Sequence, residues 1–139
     1  MTAAPKISDV LGVEQAASEL DLLRELRNGL PYEALERIRR ALDLTLDELA
    51  DALAISVRTL NRRKKAESLE PDESDRVYRI ARVYAHALEV FGDRDKASKW
   101  FKRENSALGG EVPLEVFDTD LGAQMVDDVL TRIEFGVYS

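Results

Sequence analysis

Apolar side chains along this chain recur at intervals of three and four, segment after segment, and nowhere alternate with polar ones over a sustained run. The first spacing lines one face of an α-helix, and the second would mark a half-buried strand. The chain is therefore expected to be all-α. At 139 residues it suits one domain, or two very small ones sharing a core.

Residues 13–28 carry Val13, Ala16, Ala17, Leu20, Leu23 and Leu26 as a stripe, with Gly29 as its stop. Pro31 suits the first turn of a helix over 31–42, whose apolar face is Ala34, Leu35, Ile38 and Leu42. Thr45 and Glu48 form a capping-box pair opening a helix over 46–53, and Ser56 caps another over 57–65. Pro71 and Asp72 open a long helix to Phe91, striped by Val77, Ile80, Ala81, Tyr84, Leu88 and Phe91 and ended by Gly92. Asp93 caps a helix expected to run to about Ala107, and Gly109-Gly110 breaks the chain. A single turn over Pro113 to Phe117 precedes a last helix over 120–135, predicted to point Leu121, Met125, Val126, Val129, Leu130 and Ile133 inward.

Composition removes several function classes. With no cysteine there is no disulfide, thiolate metal site or cysteine nucleophile, and the single His86 rules out a histidine-rich metal site. His86 lies in the apolar stretch VYAHALEVF and reads as a core or boundary residue. Asp118, Asp120, Asp127 and Asp128 lack the ligand spacing of a calcium loop, and Gly109-Gly110 lacks the Lys-Ser/Thr of a phosphate loop. No enzyme, metal or cofactor is expected. No apolar run reaches the roughly 20 residues of a membrane span, and MTAAPKISDV has no signal-peptide pattern. A cytoplasmic protein without a membrane partner is the expectation.

The net charge of −7 is unevenly laid out. Residues 1–57 hold 6 basic and 11 acidic side chains, while RTLNRRKK at 58–65 holds 5 basic and none acidic. Residues 66–103 balance at 8 each, and residues 104–139 set Arg132 alone against 8 acidic groups. A basic spot on an acidic chain is weak evidence for nucleic acid until its setting is known.

The setting is TLDELADALAISVRTLNRRKK, residues 45–65. Two short helices flank a turn at Ala54-Ile55-Ser56, and Leu49, Ala50, Leu53, Ile55, Val57 and Leu60 are spaced to pack them across each other. This is the helix-turn-helix pattern, whose second helix enters the DNA major groove. Arginine there can grip guanine or phosphate with two hydrogen bonds, and an Asn can read adenine. The expected DNA-contacting set is Ser56, Arg58, Thr59, Asn61, Arg62, Arg63 and Lys65. Ala54 stands where the turn often has Gly, at a cost of about 1 kcal/mol for a left-handed Ala. The segment resembles the lambda-repressor-like (Xre) class.

Residues 100–139 read WFKRENSALGGEVPLEVFDTDLGAQMVDDVLTRIEFGVYS. The order of Trp, Asn, Leu-Gly-Gly, Pro-Leu-Glu, Asp-Thr, Gly and a Val-Leu-Ile helix ending at Gly136 resembles the C-terminal domain of Xre/MbcA/ParS-type antitoxins. With the helix-turn-helix, the likeness covers roughly residues 30–139. It implies a lambda-repressor-like helix-turn-helix packed on a C-terminal helical antitoxin domain. The expected division is an N-terminal helical segment at 1–29 with no assigned role, a DNA-binding domain at 30–70 and a toxin-binding domain at 71–139.

The resemblance further implies a type II antitoxin whose partner is an RES-domain toxin that consumes NAD+, by hydrolysis or by ADP-ribosylation. It implies that the C-terminal end, Glu134, Phe135, Gly136, Val137, Tyr138 and Ser139, covers the toxin's active site. It also implies repression of its own operon through operator DNA, and a homodimer within the toxin complex. The acidic tail suits a cleft built to hold a diphosphate, because such a cleft must offer cationic or amide donors. Two other readings stay open on the residues alone. One is a stand-alone regulator whose C-terminal helices enclose a metabolite in a closed apolar pocket, and the other is a protein-interaction module with no DNA role.

Overall fold

The structure, a computed structural model, describes residues 6–136. These form α1 (Ile7–Leu11), α2 (Glu19–Asn28), α3 (Tyr32–Ala41), α4 (Leu46–Leu53), α5 (Val57–Ala66), α6 (Pro71–Phe91), α7 (Arg94–Phe101) and α8 (Asp120–Glu134), with short 3₁₀ turns at Ser106–Leu108 and Pro113–Val116. Among the described residues there is no strand; the one β-bridge joins Pro31 to Ser68. None of these helices is long and apolar enough to cross a membrane. The helical reading of the sequence holds, with a helix-turn-helix followed by a helical C-terminal domain.

Side-chain caps set most helix starts. Ser18, Thr45, Ser56, Asp93 and Thr119 each accept the backbone N–H three residues on, satisfying one of the donors that a helix start leaves free. Pro71 occupies the first turn of α6, and Gly92 closes it in a left-handed conformation. The apolar core is continuous from Leu11 to Leu130, and α6 runs through it, packing against α1, α2, α3, α7 and α8. That one helix therefore ties the two halves together. Ser98 of α7 adds a buried hydrogen bond from Oγ to the Leu42 carbonyl at the end of α3 (2.9 Å).

Three expectations from the pattern need correction. The single helix over 13–28 is absent: α1 ends at the left-handed Gly12, and the Ser18 hydroxyl captures the Asp21 N–H, so helix resumes only at Glu19. Val13 and Ala16 are buried without being helical, and α2 turns Leu22 and Leu26 toward the core while Leu20 and Leu23 stay exposed. The helix from Asp93 stops at Phe101, and the Asn105 side chain accepts the Ala107 N–H, favouring a tight turn over continued α-helix. On α8, Val126, Val129 and Leu130 are buried as expected, but Leu121 and Met125 are 71% and 44% exposed. The core beside this helix is closed by the 3₁₀ turn at Pro113–Val116, which packs on it and leaves the outer stripe nothing to cover.

Candidate functional site

The turn between α4 and α5 closes with Ala54 at φ 54°, the left-handed conformation its place requires. Ser56 then starts α5: its Oγ accepts the Thr59 N–H (3.1 Å) and donates to Thr59 Oγ1 (2.9 Å). Leu60 is fully buried and Val57 half-buried, which fixes the roll of the helix. Arg58, Asn61, Arg62 and Lys65 are exposed. Their spacing of three, four and seven residues puts them on one outward face, where neighbouring side chains can act together. This is a cationic face with one amide at its centre.

Arg63 is placed differently from the other predicted DNA contacts. Its Nε donates to Glu73 Oε1 at 2.7 Å, and Glu73 is almost wholly buried. The same oxygen accepts the Glu70 N–H at 2.8 Å. Arg63 therefore braces α5 against α6. Arg76 does the same for α4, with Nη1 donating to the carbonyls of Leu53 (3.1 Å) and Ala54 (3.0 Å). At the front of α4, the Thr45 N–H and hydroxyl hold the Glu48 carboxyl below its ordinary pKa. Sequence reasoning missed these braces. The available signal was that Glu73 shares the face of Val77 and Ile80, so its carboxylate had to be buried against a cation.

The C-terminal half is built on aromatic rings. Trp100 meets Phe101 edge-on at 5.4 Å between centroids, and Phe101 also packs on Tyr84 (6.2 Å) and Phe117 (5.9 Å). Phe91 lies 5.7 Å from Trp100. The start of α8 presses so closely on the preceding turn that a Cβ at Gly122 would overlap the Val116 carbonyl. Arg79 of α6 fixes the same corner, donating to the Phe117 carbonyl (3.3 Å) and facing Asp120 (3.6 Å).

At the far end of α8, His86 of α6 is gripped between two carboxylates. Its Nδ1 lies 2.8 Å from Asp127 Oδ1 and its Nε2 3.3 Å from Glu134 Oε1. When both nitrogens carry protons the ring donates to both partners. Burial pulls its pKa down and is the largest single influence. The hydrogen bonds to Asp127 and Glu134, with their charges, together outweigh it and leave the pKa raised. Glu134, expected at the toxin, is thus also an anchor for the last turn. Phe135 beyond it is 74% exposed, and Gly136 follows at positive φ. Val137, Tyr138 and Ser139 of the expected toxin-binding end lie outside the described residues. Leu121 and Met125, which the sequence pattern assigned to the core, stand exposed one turn apart on α8, and Phe135 is exposed just past its end. Large apolar side chains exposed together on a small protein are a common mark of a protein-binding surface.

Comparison with known proteins matches both halves. Residues 21–82 fit the model of the antitoxin Xre-like helix-turn-helix domain. Residues 86–136 fit that of the antitoxin Xre/MbcA/ParS C-terminal toxin-binding domain. An Antitoxin Xre of Photorhabdus laumondii is 34% identical over 116 residues, covering 82% of this chain and 78% of the relative. One from Yersinia enterocolitica is 31% identical, covering 85% and 81%. A Prs ADP-ribosylating antitoxin of a Sphingobium species is 28% identical, covering 88% and 84%. The chain, with its braced helix-turn-helix joined through α6 to a toxin-binding domain, belongs to the Xre family of antitoxins.

Proposed function

We propose that this protein neutralises an NAD+-consuming RES-domain toxin by covering its active site with the C-terminal end, and represses its own operon through α5. The observation that carries the reading is the toxin-binding domain over residues 86–136, whose last helix delivers Glu134, Phe135 and Gly136 to an exposed end. The name of the Sphingobium relative supports NAD+ as the toxin's substrate, since ADP-ribosylation consumes it. Leu121, Met125 and Phe135 supply apolar contact area, and the acidic segment from residue 104 supplies charge that complements a diphosphate-binding cleft. Val137, Tyr138 and Ser139 complete that end.

On the DNA side, Arg58, Asn61, Arg62 and Lys65 form the reading face, Ser56 and Thr59 shape the start of the helix, and Arg63 holds it in place. A homodimer would present two such helices to a two-fold operator. In this reading the chain acts by binding and carries out no chemistry of its own, and residues 30–70 and 71–139 divide the two tasks. Co-expression with the neighbouring toxin tests the proposal. Deleting residues 135–139 keeps the His86 anchor, so it is expected to abolish neutralisation while leaving promoter binding intact. Survival of cells making the truncated protein and an NAD+-depleting toxin would refute the role of the tail.

A further inference from the structure

A cavity of about 360 Å³ opens where α1, α3, α6 and α7 meet, within the size range of small-ligand sites. Three guanidinium groups line it, from Arg37 and Arg40 of α3 and Arg94 of α7, against the single acidic Asp9. Arg37 is fixed in place: its Nη2 donates to the Asp9 carbonyl (2.9 Å) and its Nε to the Val10 carbonyl (3.3 Å). It runs so close to Gly12 that a Cβ there would stand 2.6 Å from Arg37 Cδ. Arg40 pairs with Glu33 at 2.5 Å. Arg94 enters no ion pair among the described residues and sits in the first turn of α7, where the helix dipole disfavours a cation.

Tyr84 closes the cavity from inside. It is 2% exposed, and its hydroxyl is the one buried side-chain polar atom without a hydrogen-bond partner among the described residues. Burial raises its pKa above the ordinary phenol value, although the adjacent Arg94 guanidinium, which approaches the hydroxyl without meeting hydrogen-bond geometry, works against this, so the hydroxyl remains a proton donor at neutral pH. A buried hydroxyl left unpaired and three guanidinium groups that outnumber the acidic groups beside them, with Arg94 in no ion pair, are both costly arrangements. One oxyanion relieves both.

We propose that this seam is a binding pocket for a small phosphate-bearing ligand, held by Arg37, Arg40 and Arg94 around the hydroxyl of Tyr84. Arginine forks match phosphate oxygens, and a dry hydroxyl adds a directional donor. A second cleft of about 880 Å³ shares Arg40 and Arg94 and continues past Lys99 to Lys102, with Asp43, Asp93 and Asp95 among them, leaving room for the polar remainder of a ligand larger than phosphate. Because α3 belongs to the helix-turn-helix and α7 to the toxin-binding part, an occupant would bridge the two.

NMR titration of the full chain with inorganic phosphate, at constant ionic strength, tests it. The Arg58→Gln/Arg62→Gln protein is used so that phosphate on the DNA-reading face does not confuse the result. The expected outcome is saturable shifts around Arg37, Tyr84 and Arg94, with a Kd of about 1 mM or tighter. Arg94→Gln should weaken binding roughly tenfold and Tyr84→Phe roughly threefold to tenfold, as lost donors to an anion do. Melting of both variants without phosphate checks that the fold is intact. Shifts that never saturate, shifts confined to α5, or affinities unchanged in both variants would overturn the proposal.

Discussion

Helices α5 and α8 each turn an outward face to solvent, and the two faces are opposite in kind. That of α5 presents Arg58, Asn61, Arg62 and Lys65, and the helix is braced through Arg63 to the buried Glu73. That of α8 presents Leu121 and Met125, with Phe135 exposed just past its end, within the most acidic part of the chain. A face of exposed cations suits a polyanion, whose binding releases counterions and weakens steeply with salt. An apolar face in an acidic setting suits a protein with its own apolar patch and cationic cleft. In the proposed function one chain separates two recognition tasks by charge, with the core around α6 packed between them.

The largest expected effect comes from loosening the α8 half alone. Gly122→Ala drives a methyl into the Val116 carbonyl and should cost about 3 kcal/mol of stability, the upper range for overpacking. Thermal unfolding checks this, and an unchanged melting temperature would show that the corner is not closely packed. Next, Arg58→Ala and Arg62→Ala should each weaken promoter binding by about 1–3 kcal/mol and flatten its salt dependence, with toxin binding unaffected. Loss of both activities in a mobility-shift and pull-down pair would erase the separation.

A smaller effect is expected at His86, which joins α6 to the end of α8. Its pKa is raised by folding, so its stabilisation is fully present below the unfolded value near 6.5 and fades as pH rises through the folded value. His86→Gln should therefore cost about 1–2 kcal/mol at pH 5.5 and much less at pH 9. Equal destabilisation at both pH values would mean that the contacts with Asp127 and Glu134 do not depend on the proton. The smallest effect lies in the α4–α5 turn: Ala54→Gly should stabilise by about 0.5–1 kcal/mol, because Gly carries no penalty at φ 54°. Chemical denaturation would detect it, and a loss of stability would show the Ala methyl to be used in packing.

Much of this was legible in the sequence because its causes are local. The Thr45–Glu48 box, the Ser56 cap, the left-handed Ala54, and the Pro71 and Gly92 ends of α6 each depend on residues within a turn of one another. Periodicity also gave the buried faces of α3 and α6. It misled at 13–18, where Val13 and Ala16 are buried from an irregular segment, because spacing records burial but not backbone conformation. It misled again on α8, where Leu121 and Met125 follow the helical spacing of a core stripe yet face outward.

The sequence by itself determined the all-α class, most helix starts and their caps, and the run of basic side chains on α5, because each is carried by neighbours a few residues apart. Only the tertiary structure decided that Arg63 is tied to Glu73, that His86 is gripped by Asp127 and Glu134, and that Arg37, Arg40 and Arg94 share a cavity with Tyr84. Arg63 and Glu73 lie 10 positions apart in the chain, His86 and Glu134 lie 48 apart, and Arg37 and Arg94 lie 57 apart. Which distant charges meet is set by how the helices pack around α6, and no spacing rule along the chain encodes that.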